Sequence, residues 1–239
     1  MRLDRYLVEH NYFSSRAKAQ DAIRRGLVLV NQSVINKSGM EVKEGDTVEL
    51  VAHDFYVSRA GEKLQFALRE CGINLLDAVV LDIGCSTGGF IEVCLKAGAK
   101  YVYGVDVGSS QLDQSLRLDP RVTAFENTDA RELNQGMFVM PITFFTMDVS
   151  FISCLKILKP LQKWLPKETP GLVLIKPQFE ADQKALNKRG VIKNGRMNLQ
   201  IAESVIAQMK ASGIQIFKIS QSFLPGKEGN LEFFAYISL

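Results

Sequence analysis

The chain of 239 residues predicts an α/β fold: a mostly parallel sheet with its last strand antiparallel, preceded by a small α+β module. Three observations predict it. From Lys63 onward, apolar β-prone runs alternate with helical patterns, as in a parallel sheet covered on both faces. One run ends in a glycine-dense loop, "VLDIGCSTGGF" at 80–90, where a ligand can approach the backbone beside a helix N-terminus. Residues 1–52 read differently, as two short helical patterns followed by alternating strands and polar turns.

In that first segment, "RLDRYLVEHNYF" is a short helix. "SSRAKAQDAIRRG" is a second, with Ser14 or Ser15 as N-cap and Gly26 as terminator. Ala19, Ala22 and Ile23 fall at helical spacing and face inward, which turns Arg16, Lys18, Arg24 and Arg25 outward. "LVLVNQSVI" and "DTVEL" are then short strands, with "KEGD" as a turn. Residues 1–25 hold six basic and three acidic side chains, and residues 41–54 hold five acidic and one basic. A solvated surface accounts for most such charge. The order of helix, basic helix and hairpin points instead to RNA.

The stretch "RLDRYLVEHNYFSSRAKAQDAIRRGLVLVNQSVI" resembles the αL RNA-binding module of a small-subunit ribosomal protein and of bacterial pseudouridine synthases. The resemblance implies that Arg2, Arg5, Arg16, Lys18, Arg24 and Arg25 meet the RNA backbone. The module with its linker is assigned to residues 1–58, and the second domain to 59–239.

Along the second domain the patterns predict a helix near 61–71, strand 79–83, helix 88–97, strand 101–106 and a helix around 109–117. Strands 122–126 and 142–148, helix 152–164, strand 171–176 and helix 197–211 follow. Strands 214–221 and 232–238, joined by "SFLPGKEGN", close the domain. Residues 177–196 lack long apolar runs and carry Lys184, Lys188, Arg189, Lys193 and Arg196, the pattern of a lid or binding element.

Composition narrows the class. Hydrophobic content of 46%, charged content of 23% and a net charge of +3 are those of an ordinary soluble globular protein. The charged N-terminus lacks the apolar core of a signal peptide, and no run approaches the ~18–20 apolar residues of a membrane span. Cys71, Cys85, Cys94 and Cys154 show no metal-ligand or redox spacing, so no metal is expected and the thiols read as buried and free. The expected location is the cytoplasm.

The glycine loop is next matched to a ligand. A dinucleotide fingerprint requires G-x-G-x-x-G, but Ser86 stands two places after Gly84. A P-loop requires Lys after its last glycine, and Phe90 follows Gly89. What remains is D-x-G-x-x-x-G-G. S-adenosylmethionine (SAM) has no pyrophosphate; it needs close backbone approach and a carboxylate near its ammonium. Asp82, Gly84, Ser86, Gly88, Gly89 and Phe90 are thus expected to bind it. Asp106, 24 residues past Asp82, is placed to take the ribose hydroxyls, and Asp129 the adenine amino group. Three acids after successive strands lie at one sheet edge, where open α/β sheets bind ligands. The fold is then a Rossmann-like SAM-dependent methyltransferase sheet.

For the methyl acceptor, "MDVSF" lacks the prolines of the [DNS]-P-P-[YFW] motif of base N-methyltransferases. Cys154 lacks the motif of a cytosine C5 nucleophile and reads as packing. Two lysines and two carboxylates stand at separate strand or loop ends: Lys63, Asp148, Lys176 and Glu232. A ribose hydroxyl loses its proton near the transition state. A lysine that is desolvated or beside a second cation can accept it, with the carboxylates orienting and balancing the lysines.

"SRAGEKL", "LDIGCSTGGF", "YGVDV", "MDVSFIS", "LIKPQFE" and "GNLEFF", in this order, resemble the TlyA-type "hemolysin" family, which joins an αL module to an FtsJ-like RNA ribose 2′-O-methyltransferase domain. The resemblance implies SAM-dependent methylation of cytidine 2′-hydroxyls in ribosomal RNA, free or in subunits. It also implies a catalytic set of Lys63, Asp148, Lys176 and Glu232, with Lys176 as base. Two other classes compete. A membrane-damaging protein would show a secretion signal, a span or a strongly amphipathic helix. An inactive RNA-binding protein would have lost a lysine or carboxylate of the set, and all four are present.

Overall fold

The computed structural model of the chain describes residues 1–13, 15–51 and 56–239. They form two compact units, Met1–Phe55 and Tyr56–Leu239. The division falls three residues before the expected 58/59 boundary because Tyr56 and Val57 belong to the larger unit. There the Val57 N–H donates to Glu92 at 2.6 Å and Lys96 lies over the Tyr56 ring at 4.5 Å. Ser14 and linker residues 53–55 lie outside the described residues.

In the smaller unit, α1 (Leu3–Glu9) and α2 (Arg16–Arg24) precede a three-stranded antiparallel sheet of β1 (Val28–Val30), β2 (Ser33–Val34) and β3 (Val48–Leu50) in the order β2-β1-β3. Ser15 caps α2, its side chain accepting from the Lys18 N–H at 3.3 Å. Leu3, Leu7, Ala19, Ala22, Ile23, Val28 and Val30 form the core. Each fully buried Leu or Ile contributes about 1.5–3 kcal/mol.

The larger unit carries α3 (Arg59–Cys71), β4 (Val79–Ile83), α4 (Gly89–Lys96), β5 (Tyr101–Val105), α5 (Gln114–Arg117), β6 (Val122–Phe125) and β7 (Phe144–Met147). Then come α6 (Leu155–Leu161), β8 (Pro170–Ile175), α7 (Pro177–Glu180), α8 (Gly195–Ala211), β9 (Gln215–Gln221) and β10 (Phe233–Ser238). Its seven strands run β6-β5-β4-β7-β8-β10-β9. Neighbours from β6 to β8 are parallel. β10 is antiparallel to both β8 and β9. One apolar cluster covers each face of this sheet. The chain leaves edge strand β6 and re-enters beside β4 as β7, which creates a switch point between β4 and β7. Ligand crevices open at such points.

Two helices are shorter than expected. Over 109–117 only α5 forms, because Ser110 is left-handed at φ 56° and Asp113 caps the turn by accepting from the Ser115 N–H. Over 152–164 only Leu155–Leu161 is helical. Phe151 is left-handed at φ 64°, and Pro160 removes one backbone hydrogen bond inside the helix.

Candidate active site

Four polar side chains converge on the larger unit as two ion pairs. Lys63 on α3 reaches Glu232, the residue before β10, at 2.6 Å. Lys176, the residue after β8, reaches Asp148, the residue after β7, at 2.6 Å, and donates to the Ser150 hydroxyl at 2.9 Å. Parallel strands β7 and β8 end at the same sheet edge, which puts Asp148 and Lys176 side by side. Helix α3 delivers Lys63 by passing close to α4: a Cβ on Gly61 would come within 2.9 Å of the Gly89 carbonyl oxygen, and one on Gly89 within 2.9 Å of the Gly61 nitrogen. A Cβ on Gly226 would lie 2.6 Å from Glu232 Oε1, so a glycine there leaves room for the carboxylate.

Beside this set, a cavity of about 470 Å³ opens at the β4–β7 switch point, within the ~300–1,000 Å³ of small-molecule sites. Gly84, Ser86, Asp106, Asp129 and Asp148 line it together with apolar Ile83, Val105 and Ile157. The Asp106 carboxylate is held by the N–H groups of Ser86 (2.8 Å) and Gly108 (2.7 Å). A carboxylate has about four acceptor positions, so Asp106 keeps capacity for two hydroxyls. Asp129 is more committed. It accepts from the Arg131 backbone N–H at 2.9 Å and from its guanidinium at 2.5–3.0 Å, which holds its carboxyl below the usual range.

Four residues expected at the cofactor, Asp82, Gly88, Gly89 and Phe90, are not among those that line this cavity. Asp82 is fully buried inside β4, one residue short of the strand end, and accepts from the Thr146 hydroxyl at 2.7 Å. Burial pushes its carboxyl up to about 8, and its Oδ2 has no partner. Phe90 lies in the apolar cluster beneath α3 and α4. Gly88 is left-handed at φ 93°, and a Cβ there would strike Leu116 and Leu112. Gly89 serves the helix crossing described above. Gly84 does line the cavity, yet its own Cβ would meet the Asp148 carbonyl oxygen at 2.5 Å. Cys154 is buried, and burial pushes its thiol up, as suits a packing residue.

Residues 177–196 are built rather than plain loop. They hold α7, a 3-10 turn at Gln183–Ala185 and a Leu186–Ile192 bridge. Buried Asn230 anchors them: its side chain accepts from the Ile192 N–H and donates to the Gly190 carbonyl, both at 3.0 Å. The anchor stands two residues before Glu232. At the cavity rim, Phe151 is 91% exposed and its ring lies 5.0 Å from Phe179, itself 5.8 Å below the Lys176 ammonium. The residue types alone could not reveal either Asn230 or Phe151.

The FtsJ-like methyltransferase family matches residues 56–238. The chain belongs to this family. The S4 domain family matches residues 1–48. Hemolysin A of Brachyspira hyodysenteriae is 40% identical over 237 residues, 99% of each chain. The 16S/23S rRNA (cytidine-2′-O)-methyltransferase TlyA of Mycobacterium tuberculosis is 32% identical over 238 residues, 99% of this chain and 89% of that protein. A solved structure, "Putative hemolysin from Streptococcus thermophilus", is 34% identical with a TM-score of 0.77 and covers 100% of this chain and 88% of its own. A SAM-dependent methyltransferase from Mesorhizobium loti, 14% identical with a TM-score of 0.55, shares the fold over 77% of this chain and 100% of its own. This is an S4-plus-FtsJ-like chain of the TlyA type.

In the S4 unit of this FtsJ-like chain, the five arginines among the expected RNA contacts carry ion pairs of their own. Arg2 and Arg16 share Asp4, Arg5 pairs with Glu9 at 2.6 Å, and Arg24 and Arg25 flank Asp21 at 3.3 and 3.7 Å. Arg25 is more enclosed than an outward-facing residue, its side chain 24% exposed. Among the described residues, no helix is long and apolar enough to cross a membrane.

Proposed function

We propose that this chain methylates the ribose 2′-hydroxyl of cytidine in ribosomal RNA, free or within a subunit, in the cytoplasm. The observation that carries the reading is the Lys176–Asp148 contact, whose carboxylate lines the cavity, together with the second lysine–carboxylate pair, Lys63–Glu232. SAM supplies an electrophilic methyl group on a sulfonium. Asp106 has the free acceptor positions for the cofactor ribose, and Asp129 the place for its adenine. The methyl acceptor enters on the side of Lys176 and Phe151. Lys176 is the general base: after its Nζ gives up a proton to solvent, an incoming 2′-hydroxyl takes the place of Ser150 and yields its proton to the neutral amine. Asp148 aims Lys176 through the 2.6 Å contact, and Glu232 balances the buried charge of Lys63. Residues 1–58 hold the RNA backbone. The names of the cytidine-2′-O-methyltransferase relatives support the choice of acceptor.

The test is transfer of labelled methyl from SAM to ribosomal RNA, followed by alkaline hydrolysis. A 2′-O-methyl group removes the internal nucleophile, so label in alkali-resistant dinucleotides is expected. Label in mononucleotides would mean base methylation and would refute the reading. Lysis of red cells by purified protein that transfers no methyl group would favour the membrane-active alternative.

A further inference from the structure

The smaller unit contains a buried charge that its apolar core does not require. The Asp4 side chain is 0% exposed. It accepts from Arg2 Nε at 3.1 Å and Nη2 at 3.2 Å, from Arg16 Nη2 at 2.9 Å and from Gln20 Nε2 at 2.6 Å. The Arg2 hydrogen bond leads in holding its carboxyl far below the usual range, against the effect of burial. Both guanidiniums stay half in water, with side chains 52% and 57% exposed. The backbone around Asp4 is strapped down as well: the Leu3 N–H donates to Met40 at 2.7 Å and the Asp4 N–H to Ser38 at 3.2 Å.

Each guanidinium has five N–H donors and commits only one or two to Asp4. The others are carried to the surface by side chains whose rotamers the shared carboxylate has already chosen. Two arginines and one aspartate leave a net charge of +1, the complement of one phosphodiester. Free arginines would lose rotamer freedom on gripping a phosphate, and a pre-arranged pair loses less.

We infer that Asp4 is a positioning residue that holds Arg2 and Arg16 as a preformed two-guanidinium clamp for a single RNA backbone phosphate. This rests on the RNA-substrate reading above and adds a local architecture to it. Asp4 touches no RNA itself; it acts through the arginines.

Full-length Asp4→Asn and Arg16→Lys are compared with wild type for binding of ribosomal RNA stripped of protein, across a salt series. SAM affinity is measured in parallel, and hydrogen exchange of the α1 amides reports whether the small unit is folded. Asp4→Asn makes the protein more positive by one charge, so a merely electrostatic surface would bind RNA more tightly. The clamp requires the reverse: RNA affinity falls about 5–20-fold, the scale of a lost phosphate contact, with SAM affinity unchanged. Arg16→Lys keeps the charge and loses the planar fork, and a similar loss is expected. If Asp4→Asn loses α1 protection, Arg16→Lys decides. Wild-type affinity in Arg16→Lys, or tighter binding in a folded Asp4→Asn, overturns the clamp while leaving the methyltransferase reading intact. Wild-type protein that ignores ribosomal RNA but binds phosphatidylglycerol vesicles would overturn both.

Discussion

Lys63 and Glu232 lie 169 residues apart in the chain and meet at 2.6 Å, their side chains only 10% and 3% exposed. The pair ties the first helix of the large unit to the strand at the centre of its antiparallel edge. Removing one partner leaves the other charge buried and uncompensated, which costs about 3–5 kcal/mol. Glu232→Leu is therefore expected to lower the unfolding midpoint in urea. The double change Lys63→Met with Glu232→Leu is expected to recover most of that stability without recovering methyl transfer. A double variant as unstable as Glu232→Leu would mean that the pair does not act as a unit.

Lys176 separates proton acceptance from simple positioning. Lys176→Ala is expected to keep SAM affinity and lose about 10²–10⁴-fold in single-turnover rate, the usual contribution of a placed base. Lys176→Arg retains a cation that cannot accept a proton near neutral pH and is expected to be equally slow. Near wild-type rates in Lys176→Arg, measured on ribosomal RNA, would make the residue a positioning cation.

Asp82 predicts a pH-dependent stability. Its folded carboxyl is raised to about 8 from an ordinary value of 3.8, so between these limits the folded state binds a proton that the unfolded state does not. Its contribution is fully present below about pH 4 and is lost as pH rises through 8. The slope is at most about 1.4 kcal/mol per pH unit. Asp82→Asn keeps an acceptor for Thr146 and carries no charge, so its unfolding midpoint is expected to depend less on pH between 4 and 8. An unchanged slope in chemical denaturation would show that Asp82 is ionised in the fold.

Phe151 sits exposed in a left-handed backbone conformation, φ 64°, that costs a bulky residue about 1–2 kcal/mol. Such strain is retained where function uses it. Phe151→Gly is expected to raise stability by up to about 1 kcal/mol, because no core packing is lost. The same change is expected to raise the KM for RNA several-fold while SAM affinity holds. Unaltered steady-state kinetics on ribosomal RNA would remove Phe151 from the acceptor side.

Much of this arrangement could be read in the residues. Strand 79–83 and the ends of β7 and β8 follow from apolar runs, and the acids and lysine just past such ends are placed by the chain direction. Asp106 and Asp148 each follow a strand, so chain direction places them at the sheet edge. The burial of Asp82 is not legible, because it stands one residue before its strand ends and β4 is buried on both faces. In such a strand, alternation carries no sign of which side chain turns to a cavity. Gly84 meets a further steric demand, the nearby Asp148 backbone, which only β4–β7 pairing reveals. The burial of Asp4 is not legible because Arg16 and Gln20 reach it from α2, nor is the role of Asn230, whose partners lie 38–40 residues away.

Strand β10 enters between β8 and β9, both of which precede it in the chain. On a translating ribosome, a nascent chain that has yet to emerge beyond residue 230 therefore has β8 with one unpaired edge and Lys63 without its carboxylate. Synthesis of the last segment closes the sheet and delivers Glu232 in one event. Premature termination before that point would yield a product with an exposed strand edge, prone to aggregation, and without the Lys63–Glu232 pair.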